Sequence, residues 1–319
     1  MKKIVIITGD PNSINSELIY KSLKKIKKSI KNKIYLISNY NLLKNQLKKL
    51  KYNLNLCEVK SLEEKGKKGE IKLLNIELKY TNPFKVNKLN ASNYILQSLN
   101  LGHELALKNN DVGLINCPIN KELFKKDKIG VTEYLSSKSK IKDGSEAMLI
   151  SNKKLAVCPI TTHIDIKDVS RKIKKKIIIN KISTINKWFQ TKYKKKIKVG
   201  VLGLNPHNAE LRKNSEEIRD IIPAINSLKK KGISVEGPLV ADTVFIKDYK
   251  KYHVLVGMFH DQVLTPFKTL FKFDAVNITL GLKYIRVSPD HGIAKNLIFK
   301  KKANPESLIK CINLINKFK

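Results

Sequence analysis

The chain has 319 residues, 42% of them hydrophobic, enough for a large core divided between two lobes and incompatible with a disordered tail. No apolar run reaches the roughly 18 residues that span a membrane, and MKKIVIITGDPN offers too short an apolar segment for a signal peptide, so a soluble cytoplasmic protein is expected. The formal charge of +37 would suit a nucleic-acid binder, but only Arg171, Arg212, Arg219 and Arg286 are arginines, and lysines run from Lys2 to Lys319 without forming one block.

Strands and helices then alternate. KIVIITG (3–9) is predicted as a strand, and after the turn GDPN the residues Ile19, Leu23, Ile26 and Ile30 recur at helical spacing, making a βα unit. KIYLISN (33–39) is a second strand, followed by a polar, irregular region to about residue 90 with strand-like pieces such as IKLLNIELKY. A helix over 91–108 leads to the strand DVGLINCP (111–118). KLAVCPITTH, a helix with Ile178, Ile182, Ile185 and Phe189 on one face, KVGVLGLNPH, a helix ending near Gly232 and YHVLVGMFH repeat the pattern. The last helix is capped by Asn304, with Pro305 at its first position and Leu308, Ile312 and Ile315 inward. Such alternation predicts an α/β protein with a largely parallel sheet covered on both faces.

Three strands share one ending. The runs 154–160, 197–202 and 252–258 lead to His163, His207 and His260 on carboxyl-end loops, the edge where open α/β sheets bind ligands. One loop histidine is ordinarily a surface or hydrogen-bonded residue; three placed alike suggest a catalytic divalent-metal site with positions left open for substrate. His103, in a helix, and His253, in a strand, read as structural, while His291 in SPDHG stays unassigned. Lys268, Asn277 and Arg286 offer two cations and an amide to an anionic substrate. Arg286 stands out between Ile285 and Val287, with a strand-end salt bridge as its bland alternative. Cys57, Cys117, Cys158 and Cys311 lie far apart, suggesting neither a zinc-thiolate site nor a disulfide framework but reduced, mostly buried thiols.

ITTHIDIKDV, GLNPHNAE, GPLVADT, HDQ with Lys268 beyond it, and VNITLGLKYIRVSPDHGIA occur in the order seen in 4-hydroxythreonine-4-phosphate dehydrogenases of vitamin B6 synthesis, which the chain resembles nearly end to end. GDP near the start and TEYL at 132–135 are shorter echoes. The resemblance implies a two-lobed α/β/α subunit similar to isocitrate and isopropylmalate dehydrogenases, with the active site in the inter-lobe cleft and completed across a homodimer interface. The lobes are expected at 1–133 with 275–319, and at 134–274, the latter carrying the histidines. It further implies that His163, His207 and His260 bind a divalent metal (zinc, magnesium or cobalt), that Thr132, Lys268, Asn277 and Arg286 contact a small phosphorylated substrate, and that Asp242, Asp261 and Lys268 are catalytic. NAD or NADP is the implied oxidant; no residue is assigned to it, since no GxGxxG follows any strand. In the implied reaction, 4-phosphohydroxy-L-threonine is oxidised to a 3-oxo acid that decarboxylates to 3-amino-2-oxopropyl phosphate, the metal lowering the pKa of the hydroxyl.

The sequence departs from the family pattern at three places. Val131 stands where Gly-His-Thr-Glu carries its histidine, Asn12, Ser13, Ile14 and Asn15 replace a glycine-rich loop, and Val263 follows HDQ in place of glycine. These changes leave open a dehydrogenase of a related four-carbon phosphorylated sugar acid such as phosphothreonate. A metal-dependent hydrolase would explain the histidines but not the anion-binding segment. A nucleic-acid-binding protein would explain the charge, but no RNP, KH or helix-turn-helix signature is present and RKIKKK is not interleaved with aromatics, so no specific nucleic-acid partner is expected. The charge reads instead as the solvated, lysine-rich surface of a protein from an AT-rich genome.

Overall fold

The structure, a computed structural model, describes residues 3–124, 130–141, 144–272 and 274–318. In sequence order its main elements are β1 (Lys3–Ile7), α1 (Asn15–Lys25), α2 (Lys28–Lys31), β2 (Ile34–Ser38), α3 (Tyr40–Lys49), β3 (Leu56–Glu58), β4 (Ile71–Asn75), α4 (Lys88–Lys108) and β5 (Val112–Asn116). There follow α5 (Val131–Lys138), β6 (Ala147–Ser151), β7 (Ala156–Pro159), α6 (Ile166–Lys172), α7 (Lys175–Tyr193), β8 (Val199–Leu202), α8 (Ile222–Lys230), β9 (Val235–Leu239), α9 (Ala241–Val244) and β10 (Val254–Gly257). Last come α10 (His260–Phe271), β11 (Val276–Leu280), β12 (Ile285–Pro289) and α11 (Glu306–Lys317). The α/β alternation predicted from the sequence is the fold that forms.

Two compact units divide the protein, one of Met1–Gly130 with Lys283–Lys319, the other of Val131–Leu282. In the first, strands run in the order β3-β4-β2-β1-β5-β12, every described pairing being parallel. Ile4, Ile6, Ile34, Leu36 and Leu114 are essentially inaccessible to solvent. A parallel sheet buried on both faces requires such near-continuous apolar strands. In the second unit the order is β11-β6-β7-β10-β8-β9; β6 pairs antiparallel with β11 and β7, and the rest are parallel. Pairing of Val276–Leu280 with Ala147–Ser151 is what carries β11 into the second unit, so the division falls at Leu282 and not at residue 274.

Local structure departs from the sequence reading in three places. Ile26 and Ile30 do not continue α1: Ile26 is extended (φ −87°, ψ 154°), buried, and turns the backbone through the short α2 toward β2. The supposedly irregular stretch after residue 39 begins with a helix, α3, capped by Asn39, whose side chain accepts from Leu42 N at 2.9 Å, with Leu42, Leu43 and Leu47 buried. His260 opens a helix, α10, where a loop was expected; Val263 and Phe267, both fully buried, anchor it in a core with Val157, Leu202 and Leu255. Burying each of those two side chains contributes roughly 1.5–3 kcal/mol.

Candidate active site

Register sets the site. Val256 of β10 lies opposite Cys158 of β7 and Val201 of β8, so the three parallel strands finish at one level of the sheet. His163 follows β7 by four residues, His207 follows β8 by five, and His260 follows β10 by three. All three histidines therefore leave the carboxyl edge, where the strand alternation predicted them.

His163 and His260 come together, with ring centroids 5.8 Å apart. Each ring is fixed by a carboxylate: His163 Nδ1 lies 3.0 Å from Glu133 Oε1, and His260 Nδ1 lies 2.8 Å from Asp261 Oδ1. Burial acts to raise the Glu133 pKa, but bonds from His163 and Thr162 Oγ1, the latter at 2.9 Å, outweigh it and bring the carboxyl to about 2. An ionised carboxylate only accepts, so Nδ1 of His163 must carry the proton, leaving Nε2 as the donor atom for a ligand. This carboxylate–imidazole pairing is the arrangement that orients metal-ligating histidines.

His207 is differently placed. It begins a run in which His207, Asn208, Ala209, Glu210 and Leu211 all have φ between 49° and 58°. Left-handed backbone costs non-glycine residues roughly 1–2 kcal/mol each, so the surroundings must impose it. They do: Asn208 Nδ2 donates to Pro238 O at 3.1 Å, Ala209 is buried, and the fully buried Glu217 accepts from Leu204 N at 2.8 Å and Asn205 N at 2.9 Å. Among the described residues no three His, Cys, Asp or Glu side chains are grouped to hold a metal ion. The donor chemistry of the His163–His260 pair thus suits a divalent cation, while a three-histidine set is not assembled among those residues.

The anion-binding candidates divide between the units. In the second, Thr132 Oγ1 lies 3.3 Å from Thr279 Oγ1, and Asn277, two residues before Thr279 on the same face of β11, has a buried Oδ1 with no hydrogen-bond partner. Lys268 is half-buried on α10, and Asp242 is exposed in the first turn of α9. In the first unit Arg286 is 2% exposed and donates Nε to Asn116 Oδ1 at 2.7 Å. His103 and His253 have the structural roles expected of them: Nδ1 of His103 meets Tyr284 OH at 2.8 Å, and Nδ1 of His253 accepts from Lys198 N at 3.0 Å. Cys117 and Cys158 are buried thiols pushed up to about 12 and about 11 by loss of solvent, hence inert, and all four cysteines are free.

Sequence reasoning missed Glu133, Asn116 and Glu217. Glu133 adjoins Thr132 in TEYL, and Asn116 is the polar residue closing an apolar strand; both signals were present. Two departures from the family pattern have clear accommodations. Val263 is helical and packed in the core, and Asn12 fills the N-terminal loop by exchanging bonds of 2.8 Å with Val86 N and O. Only Gly9 there has positive φ (77°), and a Cβ on it would lie 2.6 Å from Pro118 O.

An α/β unit that presents paired imidazoles with their carboxylates at the carboxyl edge of parallel strands, and an unsatisfied amide on β11, defines an α/β enzyme site in general terms. The family described as pyridoxal phosphate biosynthetic protein PdxA matches residues 12–315, and the chain belongs to that family. It is 38% identical over 320 residues to the 4-hydroxythreonine-4-phosphate dehydrogenase of Aquifex aeolicus, covering 98% of this chain and 97% of that protein. A solved 4-hydroxythreonine-4-phosphate dehydrogenase from Klebsiella pneumoniae superposes with a TM-score of 0.84 at 29% identity, over 99% of each protein. A relative from Oceanobacillus iheyensis with a provisional D-threonate 4-phosphate dehydrogenase name is 34% identical over 229 residues, 70% of this chain and 68% of that protein.

Proposed function

We propose that this protein, an oxidoreductase of the PdxA family, oxidises 4-phosphohydroxy-L-threonine with NAD or NADP to the 3-oxo acid that decarboxylates to 3-amino-2-oxopropyl phosphate, in pyridoxine 5'-phosphate synthesis. Near-full-length identity to a 4-hydroxythreonine-4-phosphate dehydrogenase is the observation that carries this reading, and it does not favour the phosphothreonate alternative. At the site, the reading is supported by the His163–His260 pair with its two carboxylates.

His163, His260 and His207 are the proposed ligands of a divalent cation, zinc, magnesium or cobalt, which when bound supplies Lewis acidity toward the substrate hydroxyl. Glu133 and Asp261 hold the two imidazoles in the tautomer that offers Nε2 outward. Asn277, whose buried Oδ1 lacks a partner, accepts a hydrogen bond from the substrate; Thr132 adds a hydroxyl, and Lys268 and Arg286 neutralise phosphate and carboxylate. Asp242 and Asp261 are the acidic groups proposed to accept the hydroxyl proton. No described helix is long and apolar enough to cross a membrane, in keeping with the proposed cytoplasmic location. A homodimer that completes the site and a lysine surface without specific nucleic-acid affinity belong to the same proposal.

Purified protein with divalent metal, NAD or NADP and 4-phosphohydroxy-L-threonine should generate reduced nicotinamide, read by its absorbance. No reduction with either cofactor, or turnover of phosphothreonate alone, would overturn the assignment.

A further inference from the structure

The histidine-bearing loops are tied to one another by a residue outside the metal and anion sets. Gln262, the third residue of α10, folds its carboxamide back onto the end of β10: Oε1 accepts from Met258 N at 2.6 Å. Its Nε2 donates to Gly203 O at 2.7 Å, just beyond the last residue of β8 and four residues before His207. On its other side Met258 O accepts from Thr161 N at 3.1 Å and Thr161 Oγ1 at 2.8 Å, two residues before His163. Thus one amide side chain and the backbone of one residue, Met258, link the exits of β7, β8 and β10.

The glycines around Gln262 make room for this link. A Cβ at Gly257 would lie 2.8 Å from Gln262 Oε1 and 2.5 Å from Val263 Cγ1, and one at Gly203 would collide with the Asn208 side chain that secures the left-handed run. Chemistry restricts the bridging residue as well. A backbone N–H and a backbone carbonyl must be satisfied by one planar group, which a carboxamide does with its acceptor and donor ends. A carboxylate would face Gly203 O with an acceptor, and an aliphatic side chain would leave both backbone groups without their bonds.

We infer that Gln262 is a positioning residue: it sets the exit of β8, which leads into the His207 loop, against the strand end that delivers His260, and without it the two loops lose their tie. The inference rests on the reading that these histidines act at one site, and its test does not depend on that reading. In Gln262→Met, of similar length and without the amide, the ring resonances of His207 and His260 should shift in protein labelled at histidine, while those of His103 and His253, held by Tyr284 and the Lys198 amide, stay in place. Amide exchange across residues 204–211 should accelerate by at least about tenfold, and cobalt(II) affinity should fall roughly 10- to 100-fold, the usual effect of removing support behind metal ligands. Should Gln262→Met not fold, Gln262→Glu, equal in size, is expected to give the same local signature. Unchanged ring signals and exchange, or shifts spread equally to His103 and His253, would overturn the inference. Should the wild-type protein bind no cobalt, the metal reading is lost, and the resonances and exchange still decide the role of Gln262.

Discussion

The two units end parallel strands alike and use the resulting edges differently. In the first, Asp10 beyond β1 accepts from Asn12 N at 2.8 Å and Asn120 N at 3.3 Å; burial raises its pKa, and those bonds together with the charge of Lys295 oppose the rise. Arg286 in β12 likewise has its Nε taken by Asn116. In the second unit the polar groups are fixed at one end only. His163 and His260 are bound through Nδ1 and make no hydrogen bond through Nε2 among the described residues, and back from the edge, on β11, Asn277 Oδ1 is buried without a partner. A buried polar group left unsatisfied costs about 1–3 kcal/mol, so groups of this kind persist where a ligand completes them.

The largest expected effect tests the unsaturated edge. His163→Ala and His260→Ala should each lower divalent-metal affinity roughly 100-fold, measured by titration calorimetry; thermal stability should be nearly unchanged in His260→Ala, whose partner Asp261 is exposed, and lowered in His163→Ala, which deprives Glu133 of a bond. Wild-type affinity in both variants would remove the contrast between the edges. Next in size is a test of the first unit's edge. Arg286→Met leaves Asn116 Oδ1 buried without its donor and should reduce stability by about 1–3 kcal/mol in urea unfolding. If KM rises and stability does not change, Arg286 acts wholly through ligand binding and its bond to Asn116 carries no stability.

Glu217 sharpens the comparison through pH. It is fully buried, and although burial acts to raise its pKa, bonds from Asn205 N and Nδ2 and from Leu204 N outweigh this and hold it below the ordinary carboxylate value. A depressed folded pKa means that the stability it contributes is complete above the unfolded value, near 4.5, and is lost as pH falls through the folded one. Glu217→Gln should cost about 1.5–3 kcal/mol at neutral pH and should flatten the fall of melting temperature with acid below pH 4.5. An unchanged acid slope would show that the left-handed run is held by other contacts.

The strands and the three histidines were legible because apolar runs of strand length ended on polar residues, a pattern that depends on neighbours in sequence. The helix α3 was equally legible from Asn39 and the spacing of Leu42, Leu43 and Leu47, and was missed because lysine and asparagine lower the mean hydropathy of that stretch. The left-handed run at His207–Leu211 was not legible at all: it contains no glycine, and the contact that holds Asn208 comes from Pro238, 30 residues on, while Glu217 braces Leu204 and Asn205 just before the run. Gln262 was hidden for the same reason, since its partner Gly203 lies 59 residues away. The edge of the second unit was misplaced because antiparallel pairing of β11 with β6 leaves no trace in the hydrophobic pattern of β11.

The smallest effect concerns Val131, the first residue of α5 and the neighbour of Thr132. It is half-buried where the family resemblance leads one to expect a histidine, while Thr132 and Glu133 beside it are engaged with Thr279 and His163. Those two anchors fix the helix start, so a substitution at 131 changes what is offered to a ligand without moving the turn that offers it. Val131→His should therefore restore one hydrogen bond to the substrate and leave the fold intact. A single bond of that kind contributes about 0.5–1.5 kcal/mol, or roughly 2- to 10-fold in kcat/KM, for 4-phosphohydroxy-L-threonine. The gain should fall on KM with kcat steady, because a contact present equally in ground and transition states changes binding alone. If kcat/KM for this substrate does not rise while that for phosphothreonate drops, valine is serving a different substrate, and the second unit's edge is already complete for it.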